Sequence, residues 1–442
     1  MNYREALDYI YGHTNYEAVP KPHAESNYDL RRLFEILGRL GNPHLKARSL
    51  HITGTNGKGS TSAMLASVLT EAGFRTGLYT SPHLITTRER FTINGRMISE
   101  AELADLMTRL QPEVELTNQK ATYGKLTVFE ILTVLCFMYF AEQGCDFQVM
   151  EVGMGGRYDA TNVIQPEVCL LTSISFDHTA ILGNTLTQIA TEKCGIIKPG
   201  CVVVSHPQLE EASRVIERTC LEKGVPLIRI GKDVTRESLT FNHDHQEIQI
   251  RGRLGSYRVS IPLLGHYQLD NAAAAVAGLE VLIEKGYQIS NENILQGLAK
   301  VSFPGRLQIA SKKPLILLDG GHNPGAARNL RESIQQYFRT DEAILVIGIA
   351  SDKDIPGIIR ELAPVFKKVI TTRSNSPRAA SPDFLKKEFQ TYGIQADTTN
   401  NVAEALEEAK KRVTGEELIC VTGSLYVVGE ALAQIKGYAG AD

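Results

Sequence analysis

The chain contains the run Leu50-His51-Ile52-Thr53-Gly54-Thr55-Asn56-Gly57-Lys58-Gly59-Ser60-Thr61, which indicates how the rest of it folds. An apolar strand leads into a glycine-rich turn, and a helix is predicted over residues 62–72. Glycine has no Cβ, so the turn can point several backbone N–H groups into one concavity. The helix N-terminus and the Lys58 ammonium add positive charge, and a hydroxyl of Ser60 or Thr61 can reach Mg²⁺. The run therefore predicts a cradle for the phosphates of a nucleotide triphosphate.

This cradle is a variant of the standard phosphate loop. The pattern G-x-x-x-x-G-K-[ST] is not met, because Ile52 has the place of the first glycine and Gly59 separates Lys58 from Ser60. The alternative is a glycine-rich turn with an incidental lysine. The order of strand, turn, lysine, hydroxyl and helix favours the phosphate loop.

The length of 442 residues exceeds what one hydrophobic core usually organises, so two domains are expected. The sequence Ser302-Phe303-Pro304-Gly305-Arg306 interrupts a helical pattern, which predicts an ATP-binding domain over 1–298 and a C-terminal domain over 299–442. Short apolar strands alternate with helices in both parts. The predicted fold class is α/β, with a phosphate-loop domain built on a mostly parallel sheet and a smaller α/β domain after it.

Composition narrows the class of protein further. A net charge of −3 gives no support for nucleic acid or an acidic membrane surface as the main partner. No signal peptide is evident at the N-terminus, and no apolar run approaches transmembrane length, so a cytoplasmic protein is expected. The seven cysteines are scattered and form no C-x-x-C, which predicts reduced thiols rather than disulfides or a thiolate zinc site.

Polar side chains follow several predicted strands of the first domain. Ser81, Glu151 and His178 each come at or after the end of an apolar run, where open α/β sheets place ligands. If the strands before Glu151 and His178 are parallel neighbours, both side chains face the phosphates. Taken singly, a solvated carboxylate and a hydrogen-bonded histidine are the simpler interpretations. The three together favour a Mg²⁺ site, although imidazole is an unusual ligand for so hard an ion.

Further candidates lie later in the chain. Lys193 is by default an exposed helical lysine, but a neutral amine could take up CO₂ and become an anionic metal ligand. Asp319 and His322 could contact a ribose or a phosphate, and Arg306 could clamp the γ-phosphate. A simple helix cap and a surface arginine remain open as alternatives, as does a solvated turn for the polar cluster at 351–354.

With these residues in view, the chain resembles the folylpolyglutamate synthase family of the Mur-ligase superfamily, which in bacteria is often bifunctional with dihydrofolate synthase. The resemblance spans nearly the whole chain. It rests on ordered motifs: Thr53 to Ser60, Thr80-Ser81-Pro82-His83-Leu84, Glu151-Val152-Gly153, Gly155-Gly156-Arg157, Asp159-Ala160-Thr161-Asn162, Asp177-His178, Glu192-Lys193-Cys194-Gly195, Pro304-Gly305-Arg306, Asp319-Gly320-Gly321-His322-Asn323-Pro324 and Gly423-Ser424. Two residues depart from the family pattern, Cys194 and Gly321, where the family usually has alanine.

The resemblance implies the following sites. The residues implied to bind ATP are Gly54, Thr55, Asn56, Gly57, Lys58, Gly59, Ser60, Thr61, Asn271, Arg306, Asp319 and His322. The implied ligands of two Mg²⁺ ions are Ser60, Ser81, Glu151, His178 and a carbamylated Lys193, with K⁺ as a further ion. The implied catalytic residues are Lys58, His178, Lys193 and Arg306. The implied substrate-binding residues are Asn27, Tyr28, Asp29, Leu30, Ser81, Pro82, His83, Leu126, Thr127, Val128, Phe129, Asp159 and Ala160.

The implied activity is ATP-dependent addition of L-glutamate to folates through an acyl phosphate, by a cytoplasmic monomer acting on small molecules. Asp159-Ala160 resembles the bifunctional bacterial members, which also use dihydropteroate. Three alternatives remain open at this point: a murein-precursor ligase, a small-molecule kinase and a nucleotide-switch binding module.

Overall fold

The computed structural model describes residues 1–17, 28–338, 343–413, 415 and 417–437. Asn27, predicted to bind the substrate, lies outside these residues. Within the described ranges no helix combines the length and the apolar character needed to cross a membrane.

The strands form three sheets. In chain order they are β1 Arg48–Thr53, β2 Thr76–Tyr79, β3 Phe91–Ile93, β4 Arg96–Met97, β5 Phe147–Glu151, β6 Pro166–Leu171, β7 Val202–Ser205, β8 Leu227–Arg229, β9 Thr235–Phe241, β10 Gln246–Arg251, β11 Ser256–Ile261, β12 Gln308–Lys312, β13 Leu315–Leu318, β14 Ile344–Ile347, β15 Lys368–Thr371, β16 Ala396–Thr398 and β17 Leu418–Thr422. The first sheet has the order β4-β3-β2-β5-β1-β6-β7-β8, the second β11-β10-β9 and the third β12-β13-β17-β14-β15-β16.

Helices cover the two large sheets. They are α1 Tyr3–Tyr11, α2 Leu30–Arg39, α3 Lys58–Glu71, α4 Glu100–Lys120, α5 Val128–Glu142, α6 Thr179–Leu182, α7 Leu186–Lys193, α8 Glu210–Lys223, α9 Gln268–Glu284, α10 Asn291–Ala299, α11 Pro324–Tyr337, α12 Ile355–Leu362, α13 Pro382–Gln390, α14 Val402–Arg412 and α15 Leu425–Lys436. The predicted α/β class is confirmed, because β2, β5, β1, β6, β7 and β8 run parallel, as do β13, β17, β14, β15 and β16.

Strand β1 lies at the centre of the first sheet and is buried on both faces. Leu50 and Ile52 pack into a core with α3 and α9, while His51 points to the opposite face. Its parallel neighbours are β5 and β6. The strands before Glu151 and His178 are therefore separated by β1, so the condition that they are direct neighbours is not met. The two side chains nevertheless face the same loop, since that loop leaves the strand between them.

The helix after the phosphate loop begins four residues before its predicted start. Gly57 has φ of 92°, a left-handed conformation, and α3 begins at the next residue. The helical pattern of apolar residues starts only later, so periodicity alone placed the start too late. Lys58, Ser60 and Thr61 consequently lie in the first turn, where free N–H groups are concentrated.

Several short or polar elements of the C-terminal half were not predicted. Strand β12 carries partly exposed polar residues and pairs antiparallel to β13 at the sheet edge. Strand β16 has three residues, of which one is buried. Neither offers the run of buried apolar residues by which central strands are recognised.

Buried histidines make the stability of this fold sensitive to acid. Burial lowers the pKa of His206 from 6.5 to about 4, so the folded protein keeps the ring neutral. The unfolded chain takes up a proton below pH 6.5, and stability therefore falls as the pH decreases from 6.5 towards 4. His206→Gln should remove about 1 to 3 kcal/mol of this pH-dependent loss. The measurement is the thermal unfolding midpoint across that range, with exposed His266→Gln as the control; identical pH profiles for His206→Gln and the unsubstituted chain would contradict the assignment.

Candidate active site

The glycines of the phosphate loop permit close contacts that a side chain would prevent. Gly54 has φ of 149°, and a Cβ there would lie 1.9 Å from Thr172 Oγ1. A Cβ on Gly57 would lie 2.4 Å from Asn271 Oδ1. The loop is thus held between the end of β6 and the start of α9, and the N–H groups of Thr55 and Asn56 donate to the Ser173 carbonyl.

Lys58 extends from the first turn of α3 into this space. Its side chain is half-buried, and its ammonium donates to the carbonyl of Thr55 at 3.2 Å. Burial lowers the pKa of Lys58, and the carboxylates of Glu151 and Asp177 oppose that shift. A desolvated cation next to the loop is suited to stabilise charge on a phosphoryl group.

Glu151 ends β5 and faces the same space. It is 5% exposed, and its Oε2 accepts the backbone N–H of Ser81 at 3.1 Å. Burial raises the pKa of this carboxyl, while the Lys58 ammonium acts in the other direction. Ser60 Oγ accepts a hydrogen bond of 3.4 Å from Gln268 Nε2. Glu151 and Ser60 are oxygen donors, which Mg²⁺ prefers.

Asp177 contacts side chains from the C-terminal part of the chain, which lie in segments that follow β13 and β14. Its Oδ1 accepts from Lys353 Nζ at 2.7 Å, and its Oδ2 accepts from Asn323 Nδ2 at 3.3 Å. His322 Nε2 lies 3.5 Å from the same oxygen. Burial alone would raise the pKa of Asp177, but the hydrogen bond from His322 and the charge of Lys353 hold it well below its usual range. Asp177 is therefore an anion that joins the two large sheets.

His178 lies beyond the end of β6, where it caps α6 with φ of 49°. Its Nε2 is 3.3 Å from Lys353 Nζ. Burial lowers the pKa of His178 to about 3, so the imidazole is neutral and available as an acceptor or metal ligand.

Lys193 is buried rather than exposed, contrary to the default for a helical lysine. It ends α7, is 4% exposed and donates to the carbonyl of Gly54 at 2.8 Å. Burial lowers its pKa to about 7, and the neighbouring Lys58 charge adds to the shift. A large share of the side chain is thus a neutral amine at neutral pH, which is the form that reacts with CO₂.

The predicted residues of the C-terminal half reach the same cleft. Asp319 accepts the backbone N–H of Leu307 at 3.0 Å and of Gly321 at 2.9 Å, and so fixes the turn that carries Arg306. The Arg306 guanidinium lies 5.6 Å from the centre of the Phe303 ring. That ring packs against the loop, since a Cβ on Gly59 would come within 2.4 Å of it.

A reciprocal amide pair also connects the loop to the N-terminus of α11. Asn56 Nδ2 donates to Asn323 Oδ1 at 3.2 Å, and Asn323 Nδ2 donates to Asn56 Oδ1 at 3.0 Å. Asn323 Oδ1 additionally accepts from Ala326 N as the cap of α11. Asn323 is therefore a helix cap, and the same residue also contacts the phosphate loop.

Two cavities adjoin at this cleft. The phosphate-loop cavity, of 160 Å³, is lined by the residues described above from Gly54 to Ser60 and by Glu151, His178, Lys193, Arg306, Asp319 and His322. The acceptor cavity, of 190 Å³, is more apolar and is lined among others by Tyr16, Tyr28, Thr127, Phe129, Tyr158, Asp159, Ala160 and Tyr426. Ser81, Pro82, Gly153, Met154, His178, His322 and Leu425 line both. A group bound in one cavity therefore faces a group bound in the other.

Several predicted site residues line neither cavity. Thr61 and Asn271 are buried behind the loop, and Leu126 and Val128 belong to the core around α5. Leu30 packs on that core, Asp29 caps α2, and His83 Nδ1 accepts from Arg90 Nε at 3.0 Å. Their predicted roles stay predictions.

Other residues at the site were not chosen from the sequence. Asp177 stood beside His178 in a quoted motif, and Lys353 belonged to a polar cluster at a strand end. Glu17 and Arg378 line the acceptor cavity, where Arg378 Nη1 donates to the Glu17 carbonyl at 2.7 Å. No local pattern marks these contacts, because they join parts of the chain that are far apart in sequence.

The metal prediction has partial support from geometry. No group of three or more His, Cys, Asp or Glu side chains in the described parts of the chain is arranged to hold an ion. Ser60 and Glu151 share one cavity with the loop and supply oxygen donors, so the residues present fit a Mg²⁺ ion that is also bound by phosphate oxygens.

Family models, sequence relatives and solved structures all relate this chain to the same group of ligases. Residues 52–279 match the Mur ligase middle domain and residues 305–425 match the Mur ligase glutamate ligase domain. The chain is 33% identical to dihydrofolate synthase/folylpolyglutamate synthase of Bacillus subtilis, over 98% of this chain and 99% of that protein. The Mycobacterium tuberculosis folylpolyglutamate synthase complexed with ADP superimposes with a TM-score of 0.90 at 30% identity, covering 100% and 99% of the two chains. A solved FPGS–AMPPCP–folate complex gives a TM-score of 0.86 at 31% identity, covering 99% and 100%.

The contact between the loop and Asn271 can be tested with a pair of glycine variants. Gly57 and Gly73 both have left-handed φ, of 92° and 87°, but a Cβ on Gly73 meets no atom within 4 Å. Gly73→Ala should cost about 1 to 2 kcal/mol of stability through backbone strain alone. Gly57→Ala should cost at least as much and also weaken binding of a fluorescent ATP analogue by about tenfold or more, because the loop N–H groups shift. Equal nucleotide affinity of the two variants would contradict this assignment.

Proposed function

The chain belongs to the dihydrofolate synthase/folylpolyglutamate synthase family of the Mur ligases, and from this we propose that it is an ATP-dependent ligase that joins L-glutamate to folates. The observation that carries the proposal is that the two cavities adjoin and share lining residues. The glycine-rich phosphate loop lines one cavity, and aromatic side chains line the other. This arrangement brings a phosphoryl donor and a bulky aromatic acceptor face to face.

The reaction follows from that juxtaposition. A carboxylate oxygen of the folate attacks the γ-phosphorus of ATP, the bond to the β-phosphate oxygen breaks, and ADP and an acyl phosphate form. Lys58 and Arg306 stabilise the charge on the transferring phosphoryl group, together with the N–H groups of the loop. The glutamate amine then attacks the acyl carbon, inorganic phosphate leaves, and the amine gives up a proton as the amide forms.

Water must be kept away from the acyl phosphate while it exists. Two contacts hold the C-terminal part of the chain against the phosphate loop: Asp177 with Lys353, and Asn56 with Asn323. Leu425 and Pro82 supply apolar wall on both sides of the junction. These contacts support closure of the cleft during the two chemical steps.

We assign Mg²⁺ to the phosphate-loop cavity. Ser60 and Glu151 would hold one ion, and Ser81, His178 and Lys193 are the candidates for a second, with K⁺ as an additional ion. Mg²⁺ would supply charge neutralisation and orientation of the phosphate oxygens. Lys193 could serve as a ligand only as its carbamate, since an ammonium would be repelled.

The acceptor cavity suits a pteridine and its aromatic extension. Tyr28, Phe129 and Tyr158 offer aromatic surface, and the Asp159 carboxylate offers an acceptor for ring N–H groups. Both dihydropteroate and tetrahydrofolate carry these features. We therefore propose that the enzyme uses both, as a bifunctional synthase.

The remaining expectations are part of the same proposal. The proposed division at 298/299 lies one residue before the end of α10 at Ala299, and the third sheet starts beyond it at Gln308. The family suggests a monomer that acts in the cytoplasm on small molecules, without nucleic acid or a membrane as partner. The murein-precursor alternative is disfavoured, because full-length relatives are named folylpolyglutamate and dihydrofolate synthases.

The deciding experiment is glutamate-dependent release of ADP, with ATP and Mg²⁺ present and with dihydropteroate and tetrahydrofolate as separate acceptors. ADP release with both acceptors supports the bifunctional synthase. Release with tetrahydrofolate alone limits the enzyme to chain extension. Dependence on a UDP-sugar substrate instead of either pterin would overturn the folate assignment.

Lys58→Ala should abolish ADP release and leave the fold intact. The variant removes the cation that faces the transferring phosphoryl group, whereas the backbone of α3 tolerates alanine well. Lys300→Ala, which removes an exposed partner of Glu71, is the matched control and should retain activity. Near-normal turnover of Lys58→Ala would rule out the assigned role of the loop.

Carbamylation of Lys193 should be visible without an activity assay. With ¹³C-labelled bicarbonate, a carbamate resonance should appear in the NMR spectrum of the unsubstituted chain and be absent from Lys193→Arg. Because the pKa of Lys193 is about 7, the signal should weaken as the pH falls below that value and the amine becomes protonated. An identical spectrum for Lys193→Arg would contradict the modification.

A further inference from the structure

A buried chain of hydrogen bonds connects β1 to the acceptor cavity. His51 Nε2 is 2.8 Å from Thr161 Oγ1, and Thr161 Oγ1 is 2.5 Å from Asp159 Oδ1. His51 and Thr161 have no exposed surface, whereas Asp159 is 5% exposed and lines the cavity. This series of hydrogen bonds thus runs from the interior of the first sheet to a carboxylate at the acceptor site.

The direction of each hydrogen bond follows from the chemistry of its members. A carboxylate only accepts, so the single hydroxyl hydrogen of Thr161 is donated to Asp159. Thr161 Oγ1 must then accept from His51, which places the ring proton on Nε2. Burial holds the pKa of His51 well below its usual range, so the imidazole is neutral and carries one proton. Both donors in the chain therefore point towards Asp159.

The Asp159 carboxylate is held from other directions as well. The backbone N–H of Thr161 donates to Oδ1 and that of Met154 to Oδ2, both at 3.0 Å. Lys198 Nζ donates to the carbonyls of Asn162, at 2.6 Å, and Ile164, and so fixes the following turn. The orientation of the carboxylate is consequently set by backbone N–H groups on two sides as well as by the Thr161 hydroxyl.

A histidine is a costly choice for the His51 position. Its Nδ1 is buried and has no hydrogen-bond partner among the described residues. An unsatisfied buried nitrogen costs about 1 to 3 kcal/mol. The residues before and after it, Leu50 and Ile52, are apolar and fully buried. A local departure from the packing pattern of this kind is expected where function requires it.

We propose that His51 and Thr161 are positioning residues for the acceptor: they orient the Asp159 carboxylate towards the pteridine and keep it in register with the phosphate loop that leaves β1. This inference rests on the proposed function. The connection runs through β1. His51 lies on this strand, three residues before Gly54 of the phosphate loop, and it contacts Thr161, which in turn holds Asp159. Specificity for the acceptor then depends on two side chains that never contact it.

The test compares Thr161→Val, Thr161→Ser, His51→Leu and His51→Gln. Valine keeps the shape of threonine without the hydroxyl, and serine restores the hydroxyl. Glutamine can donate from Nε2 as the imidazole does, and leucine cannot. Thr371→Val is the control for loss of a buried hydroxyl, because its Oγ1 bonds to the carbonyls of Pro382 and Asp397 in the third sheet.

Steady-state constants for the pterin acceptor, ATP and glutamate are measured for each variant, with the thermal unfolding midpoint. Thr161→Val and His51→Leu should raise the acceptor KM by about tenfold, equivalent to about 1.4 kcal/mol, with the ATP KM within about twofold of the original. Thr161→Ser and His51→Gln should restore most of the acceptor affinity, whereas Thr371→Val should leave it unchanged.

The outcomes separate this inference from the proposed function. If the unsubstituted chain releases no ADP with any pterin, the proposed function fails and this inference fails with it. If it is active but Thr161→Val keeps the original acceptor KM, the positioning role is overturned while the function stands. A parallel loss of ATP and acceptor affinity, following the loss of thermal stability in all variants, would also overturn it, because it would show a merely structural role.

Discussion

The interaction on which the site depends is the buried anion of Asp177. Its oxygens accept from Lys353, which lies between β14 and α12, and from Asn323, the cap of α11, while Asp177 itself follows a strand of the first sheet. A buried carboxylate is tolerated only when its charge is compensated, so Asp177 is stable where the two sheets meet and unfavourable where they part. The cleft therefore has a preferred closed arrangement. Both cavities depend on this closed arrangement, because each is lined by residues from the N-terminal and the C-terminal parts of the chain.

Positive charge is the second constraint. Lys58, Lys193 and Arg306 line one cavity. The charges of Arg306 and Lys353 add to the lowering of the Lys58 pKa by burial, and the carboxylates of Glu151 and Asp177 oppose it. Burial and Lys58 together shift Lys193 towards its neutral form. Such a cluster is poorly stabilised by protein alone and well stabilised by an anionic ligand. A polyphosphate supplies that anion, so binding of substrate and relief of electrostatic strain are the same event.

The sequence allowed much of this arrangement to be predicted because its signals are local. The glycine loop, the strand end at Glu151 and the cap at Asn323 are each defined by neighbours within a few positions. The contacts that assemble the halves are not local. Lys353 and Asp177 lie 176 residues apart, and Asn56 and Asn323 lie 267 apart. The start of α3 was placed too late for a related reason, since the left-handed conformation of Gly57 leaves no trace in hydrophobic periodicity.

The wall shared by the two cavities has a consequence for inhibition. A molecule that carries a phosphate mimic on one arm and a flat aromatic ring on the other could occupy both cavities at once, because Ser81, Pro82, His178 and His322 border each of them. Once the first arm is bound, the second is present at an effective concentration in the millimolar range for a short tether. Two weak fragments would then combine into one tight bisubstrate ligand. The length of the tether would be set by the distance between the two bound groups, which gives a chemist one geometric variable to optimise.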